Sequence, residues 1–324
     1  MSGLKLDEFE IDIQKAKSKI EKIDAEKILL QLPDGLRRKS HKIVKILEEY
    51  GVKVKLWGGT CYGACDIPLD IGDADLLIHI GHSEIQNLDV GYPVVYLEGR
   101  SKRWNSPTDK LFNRLEGDVA LYASIQHIDH LKKMRDILEE EGFQTIVGEG
   151  DPRVKYPGQV LGCNYSTKVP DADTHLYIGT GRFHPLGLSM SLKDDVFIFN
   201  PVSGEFSSTE NKMDRLLRKR FAVISASEDA EKVGVILSQK SGQRREKIID
   251  ILKETKSDII VTEFDEVEPS LVDDFQWDCA VNTACPRIAL DDDRNYRTKI
   301  LTPIEFLIAR KEEKWDDWEM DEIH

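Results

Sequence analysis

No run in the 324-residue sequence approaches the ~20 consecutive apolar residues that a membrane-spanning helix needs. The opening stretch, Met1 to Lys15, mixes charges among its apolar residues and has no signal-peptide core, so a cytoplasmic protein is expected. Positive charge is also short. Against 59 acidic side chains stand 45 basic ones, and the net charge of −14 opposes nonspecific association with nucleic acid or an anionic membrane. Cysteine is sparse: five thiols, an odd number in a long chain, argue against a disulfide framework and leave buried hydrophobes, nucleophiles or metal ligands. Close CxxC pairs of the zinc-module kind are missing. So is the CxxxCxxC pattern of radical enzymes, because the position three beyond Cys65 is Pro68.

What remains is an ordinary globular composition, 40% hydrophobic, in a chain long enough for about two domains or three small ones. One loop stands out: Gly58-Gly59-Thr60-Cys61-Tyr62-Gly63-Ala64-Cys65-Asp66 follows a strand-like run, Val52 to Leu56. Its two thiols suit soft metals or electrophiles, and the small residues between them let something come near the backbone.

Around this loop the chain repeats itself. After an amphipathic helix expected over Glu8 to Ile23, apolar runs at Lys27–Leu32, Val52–Leu56, Asp75–Ile80 and Val94–Leu97 read as strands, with a helix over Leu36–Tyr50. A second set follows at Asp118–Ala123, Phe143–Val147, Thr174–Ile178 and Val196–Phe199, with a helix over Ile128–Glu141. That helix ends Ile137-Leu138-Glu139-Glu140-Glu141-Gly142 where the first ended Ile46-Leu47-Glu48-Glu49-Tyr50-Gly51. A connecting helix, Thr209 to about Lys232, carries Arg215, Arg218, Lys219 and Arg220, read as a solvated basic face. The third set comprises Val233–Ser238, a helix ending at Ile251–Thr255, Asp258–Val261, Asp278–Asn282 and Lys299–Thr302.

The fold class is therefore α/β: three similar small parallel-sheet α/β units, an internal triplication in a pseudo-threefold arrangement. Their boundaries fall at residues 1–103 (with Cys65), 104–205 (with Cys163) and 206–324 (with Cys285). Functional loops of parallel sheets lie at the carboxyl ends of strands, so each unit offers one thiol on that rim. Cys279 lies inside a strand and is read as core, and Cys61 as a neighbour of the site. The acidic, tryptophan-bearing stretch after Glu312 has no clear pattern.

Three such thiols are open to several chemistries. A structural zinc would need a fourth ligand, Cys61 or a histidine. A 4Fe-4S cluster held by three cysteines keeps one iron open to a substrate. A scaffold with buried thiols is the non-enzymatic alternative.

The strings PDGLRR, CYGACD, GHSEI, GQVLGCNYS and ACPRI, in this order, closely resemble the enzymes that begin diphthamide biosynthesis, in their archaeal homodimeric form. The resemblance runs from about Lys27 to Thr302. It implies one 4Fe-4S cluster per chain, carried over by motif onto Cys65, Cys163 and Cys285. It also implies S-adenosylmethionine as substrate, an external electron donor, and transfer of a 3-amino-3-carboxypropyl group to a histidine of translation elongation factor 2. Residues expected against S-adenosylmethionine are Arg287 for its carboxylate, Gln239 and Gln243 for its adenine or ribose, and His82 at a strand end. Quinolinate synthase, a threefold α/β protein with one cluster cysteine per unit, is the rival resemblance; the motif strings favour diphthamide chemistry.

Overall fold

The computed structural model describes residues 4–6, 8–255 and 257–324. Two short strands, β1 (Leu4–Leu6) and β2 (Phe9–Ile11), precede helix α1 (Gln14–Ile23). The helix expected from Glu8 thus starts later. Phe9, Ile11 and Ile13 alternate with polar residues at the strand period of two, and β2 pairs antiparallel with β1.

Then come β3 (Lys27–Gln31), α2 (Asp34–Arg37), α3 (Ser40–Glu48), β4 (Lys53–Leu56), β5 (Leu76–Ile80), β6 (Val94–Leu97) and β7 (Arg100–Ser101), which adds to the outer side of β2. Strands β4-β3-β5-β6 form a fully parallel sheet. Successive side chains of β3 and β5 point to opposite faces. Ile28, Leu30, Ile78 and Ile80 pack with Ile20, Ile43 and Leu47, while Leu29 and Leu77 meet Ile67 with Trp57 and Tyr96 on the other face. A sheet buried on both faces needs such continuous apolar strands, which is why these runs are legible.

The second set is α4 (Asp109–Phe112), β8 (Val119–Ala123), α5 (Asp129–Glu140), β9 (Thr145–Ile146), β10 (Thr174–Ile178), α6 (Phe183–Leu192), β11 (Val196–Phe199) and β12 (Phe206–Ser208), in the sheet order β12-β11-β10-β8-β9. The third is α7 (Lys212–Ser225), β13 (Val233–Ser238), α8 (Glu246–Glu254), β14 (Ile259–Phe264), α9 (Pro269–Asp274), β15 (Cys279–Asn282), α10 (Arg287–Leu290), β16 (Lys299–Leu301) and α11 (Pro303–Ala309). Its sheet, β14-β13-β15-β16, is again parallel throughout. In each set the first four strands stand in the order second, first, third, fourth. The helices before β4 and β9 close alike: Gly51 (φ +84) and Gly142 (φ +92) take the left-handed conformation that ends a helix at low cost.

Contacts group the chain into two compact halves. One holds residues up to 160 with 166–180 and 197–207; the other holds 161–165, 181–196 and 208–324. Cys65 belongs to the first, and Cys163 and Cys285 to the second. The basic stretch of α7 is only partly a solvated face. Arg215, Arg218 and Lys219 are exposed, but Arg220 is fully buried, with Nε and Nη2 donating to Glu305, itself fully buried. Cys279 is core, as read from the sequence.

Candidate functional site

The first cysteine loop leaves β4 and is pinned from two sides. Gln31, at the end of β3, donates from Nε2 to the carbonyls of Thr60 (2.9 Å) and Asp66 (2.7 Å). The buried Asp66 carboxylate accepts from Thr60 Oγ1 (3.0 Å) and from the Tyr62 amide (2.8 Å). Cys65 is half-buried on this frame. A Cβ on Gly63 would stand 3.4 Å from the Cys65 sulfur, at ordinary contact distance.

Beneath the loop lies a polar chain with defined proton positions. Both protons of the Gln31 amide go to carbonyls, so its Oε1 accepts, and His79 donates to it from Nδ1 at 2.7 Å. His79 Nε2 therefore accepts, from His82 Nδ1–H at 2.9 Å. Cys61 joins them: its sulfur and the two imidazoles offer ligand atoms within 4.8 Å of one another. Burial, with Asp66 beside it, pushes the Cys61 thiol up to about 12. Burial likewise holds His79 well below its ordinary value, with His82 adding to the effect, and brings His82 down to about 4. Burial thus favours the neutral form of both imidazoles, and His82 stands at the end of this hydrogen-bonded chain.

A pH dependence follows. Both imidazoles bind protons less readily in the folded chain than in the unfolded one, so stability is full above pH ~6.5 and is lost as pH falls from there towards about 4. His82→Asn should remove up to about 1.4 kcal/mol per pH unit from that slope, read from urea midpoints between pH 6.5 and 5. An unchanged slope would show that the fold does not hold His82 neutral.

The second cysteine sits in a tight turn. Leu161 N–H donates to the Asn164 carbonyl (3.0 Å), and Cys163 is buried between them. Gly162 is required there, since a Cβ would meet the Phe183 ring at 2.5 Å. Gly187 on α6 gives Tyr165 its place, because a Cβ would fall 1.9 Å from the phenolic oxygen.

The third cysteine follows β15. Asn282 shapes the bend after the strand: its Oδ1 accepts from Ala284 N–H (3.1 Å) and its Nδ2 donates to the Cys285 carbonyl (2.9 Å). Thr283 donates twice to the Ile236 carbonyl, and Arg245 donates to the carbonyls of Thr283 and Ala284 (3.0 Å each). Cys285 is half-buried, and Pro286 begins the turn into α10 with φ −55°.

Within the second half the Cys163 and Cys285 loops are linked through one ring. The Arg287 guanidinium lies 4.7 Å from the centroid of Phe183, the ring that packs on Gly162. Arg287 Nη2 pairs with Asp291 (2.8 Å), while its buried Nε has no hydrogen-bond partner. Gln243 is buried, whereas Gln239 is exposed beside Glu263. Phe183, Asn282 and Arg245 escaped the sequence reading. Only Asn282, three residues before a loop cysteine, offered a signal.

The chain is similar to known proteins over most of its length. A family model described as a diphthamide synthesis protein matches residues 32–319. The 2-(3-amino-3-carboxypropyl)histidine synthase of Pyrococcus horikoshii is 36% identical over 94% of this chain and 91% of its own length. The enzyme of that name from Methanocaldococcus jannaschii is 30% identical over 94% and 90%. The crystal structure of Dph2 from Pyrococcus horikoshii with a 4Fe-4S cluster superposes with a TM-score of 0.87 at 34% identity, covering 97% of this chain and 94% of that one. Similarity of this extent, in sequence and in coordinates, places the chain in the diphthamide synthesis family, beside the archaeal enzymes of its first step.

Proposed function

We propose that this chain is an iron–sulfur transferase that cleaves S-adenosylmethionine to a 3-amino-3-carboxypropyl radical and methylthioadenosine. The radical is transferred to C2 of a histidine of translation elongation factor 2, the first step of diphthamide formation. The observation that carries this reading is the likeness to a relative solved with a 4Fe-4S cluster. By motif the ligands are Cys65, Cys163 and Cys285. The donor chemistry fits: all three are thiols outside any disulfide, and burial raises Cys61 to about 12 and Cys279 to about 11, which keeps those two protonated. When bound, a 4Fe-4S cluster supplies single electrons and, on three thiolates, one iron open to an outside ligand.

The chain's own residues bind and orient. Arg287, with a buried Nε–H still available, is proposed to hold the carboxylate of S-adenosylmethionine, and Gln239 and Gln243 its adenosine. Arg287→Ala should weaken S-adenosylmethionine binding about tenfold or more while the absorbance near ~400 nm persists; unchanged affinity removes the residue from the site.

The shared strand order supports an origin in three repeats, residues 1–103, 104–205 and 206–324. A homodimer is also proposed. Edge strand β14 exposes Ile260 (60%) and Val261 (36%), side chains that a second copy would cover. Ile260→Lys should then shift a dimer towards monomer on size exclusion, and no shift would place the interface elsewhere.

The other partners in this reading are the elongation factor and an external electron donor, in the cytoplasm. No described helix is long and apolar enough to cross a membrane. Methylthioadenosine release by the anaerobically reconstituted, reduced protein tests the reading. A colourless protein holding stoichiometric zinc would instead favour the cluster of Cys61, His79 and His82 as the metal site.

A further inference from the structure

The segment Asp321–Ile323 lies beyond the residues that the family model matches and shows no pattern in sequence. In the structure it touches the carriers of two of the three proposed ligands. Ile323 N–H donates to the carbonyl of Cys163 itself at 2.7 Å, and Asn164 Nδ2 returns a bond to the Ile323 carbonyl at 2.9 Å. The Glu322 carboxylate accepts from the Tyr165 amide (2.8 Å) and from Ser191 Oγ (2.5 Å), so the turn around Cys163 is gripped at three successive residues. Asp321 faces the other way. Its two oxygens take a bidentate pair from Arg245 at 2.6 and 2.9 Å, and the same guanidinium donates to the carbonyls of Thr283 and Ala284, the two residues before Cys285.

We propose that Asp321–Ile323 is a positioning strap that fixes the Cys163 turn relative to the Cys285 bend, and thereby governs how firmly the second half of the chain holds its share of the iron–sulfur cluster. The second clause rests on the function proposed above; the first does not. The strap acts through length and stiffness. Two residue steps span at most ~7 Å, so the anchor on Cys163 and the anchor on Arg245 cannot drift apart while the bonds hold. Arg245 and Asp321 are both almost buried, at 9% side-chain exposure each, where a bidentate charge pair tolerates little sliding. The bond from Ile323 reaches the cysteine's own peptide group, so it orients the plane from which the thiol projects. The carboxylates of Asp321 and Glu322 are engaged by Arg245, the Tyr165 amide and Ser191. They act through Cys163 and Cys285.

The test uses the full chain in two states. In iron-free protein, alkylation of each thiol by N-ethylmaleimide is followed by peptide mass spectrometry. Ile323→Pro deletes the N–H donor, and alkylation of Cys163 should quicken about tenfold, with Cys279 unchanged. Ile323→Val keeps the donor and should behave as wild type. In reconstituted protein, Ile323→Pro and Asp321→Ala should lose iron to a chelator about tenfold faster. Their reduced-state electron paramagnetic resonance spectra should shift, and the Ile323→Val spectrum should not.

Unchanged Cys163 alkylation in Ile323→Pro overturns the strap, as does equal quickening in Ile323→Val. So does faster alkylation with wild-type cluster retention and spectrum, since the turn would then be held without positioning a ligand. A wild-type protein that takes up no iron fails the functional reading instead, visibly and before any variant is made, and the alkylation experiment still decides the strap.

Discussion

Cys163→Ala, Cys65→Ala and Cys285→Ala are each expected to leave anaerobically reconstituted protein with less than about a tenth of the wild-type absorbance near ~400 nm, and with no measurable transfer activity. Altering groups that merely orient a ligand already costs about 10- to 100-fold in metal affinity, and removing a thiolate from a set of three does more. The buried thiols supply the contrast. Cys279 is fully enclosed in β15 and kept protonated, so Cys279→Ala should cost about 1 kcal/mol of stability through a small cavity and leave iron content unchanged. Cys61→Ala should behave similarly for iron, because its thiol belongs to the neutral histidine cluster. Full iron and sulfide loading in the three single variants would overturn the ligand assignment.

Arg220→Ala should have the largest effect on stability, about 3–5 kcal/mol. Its guanidinium has no solvent exposure and is wholly committed. Nε and Nη2 go to Glu305 at 2.8 and 2.5 Å, Nη1 to the Ala289 carbonyl at 2.8 Å, and Nη2 also to the Ile300 carbonyl at 2.7 Å. Truncation leaves a buried carboxylate without its counter-charge and two carbonyls without their donor. Glu305 has further duties: it accepts from Thr302 N–H in the capping box that starts α11 and from Trp318 Nε1 at 3.1 Å. A double Arg220→Met, Glu305→Leu variant should therefore recover only part of the loss. Urea unfolding of the iron-free protein reads both; a loss below about 1 kcal/mol for Arg220→Ala would mean that Glu305 finds another partner. Ala289 is on α10, immediately after the Cys285 bend, so the same variant should also speed cluster loss.

These cases show what the sequence makes legible. Strands in doubly covered parallel sheets announce themselves as short apolar runs, and Val94–Leu97, Thr174–Ile178, Val196–Phe199 and Val233–Ser238 have the bounds expected of them. Helix α6 was invisible for the converse reason. Pro185, Gly187, Leu188, Ser189 and Met190 are all buried, so it has no polar stripe to set a period, and it contains a proline and a glycine besides. Charge misled at Arg220, where a run of basic residues reads as solvated while one of them turns inward to a carboxylate 85 positions away. The Cys65 and Cys163 loops are legible from their glycines and thiols, and the third from Cys285 followed by Pro286. Of the groups that hold them in place, Asn282 at least stands three residues before a loop cysteine, whereas Gln31, Arg245 and Asp321 act through backbone carbonyls or an ion pair that leave no spacing signature.

Group transfer by a cluster-bearing chain is read on the acceptor itself, by mass spectrometry. Reduced, reconstituted protein incubated with S-adenosylmethionine and elongation factor 2 is predicted to place one 3-amino-3-carboxypropyl group on a single histidine, with matching methylthioadenosine. A cluster-loaded protein that leaves every histidine unmodified, or marks lysine instead, would contradict it.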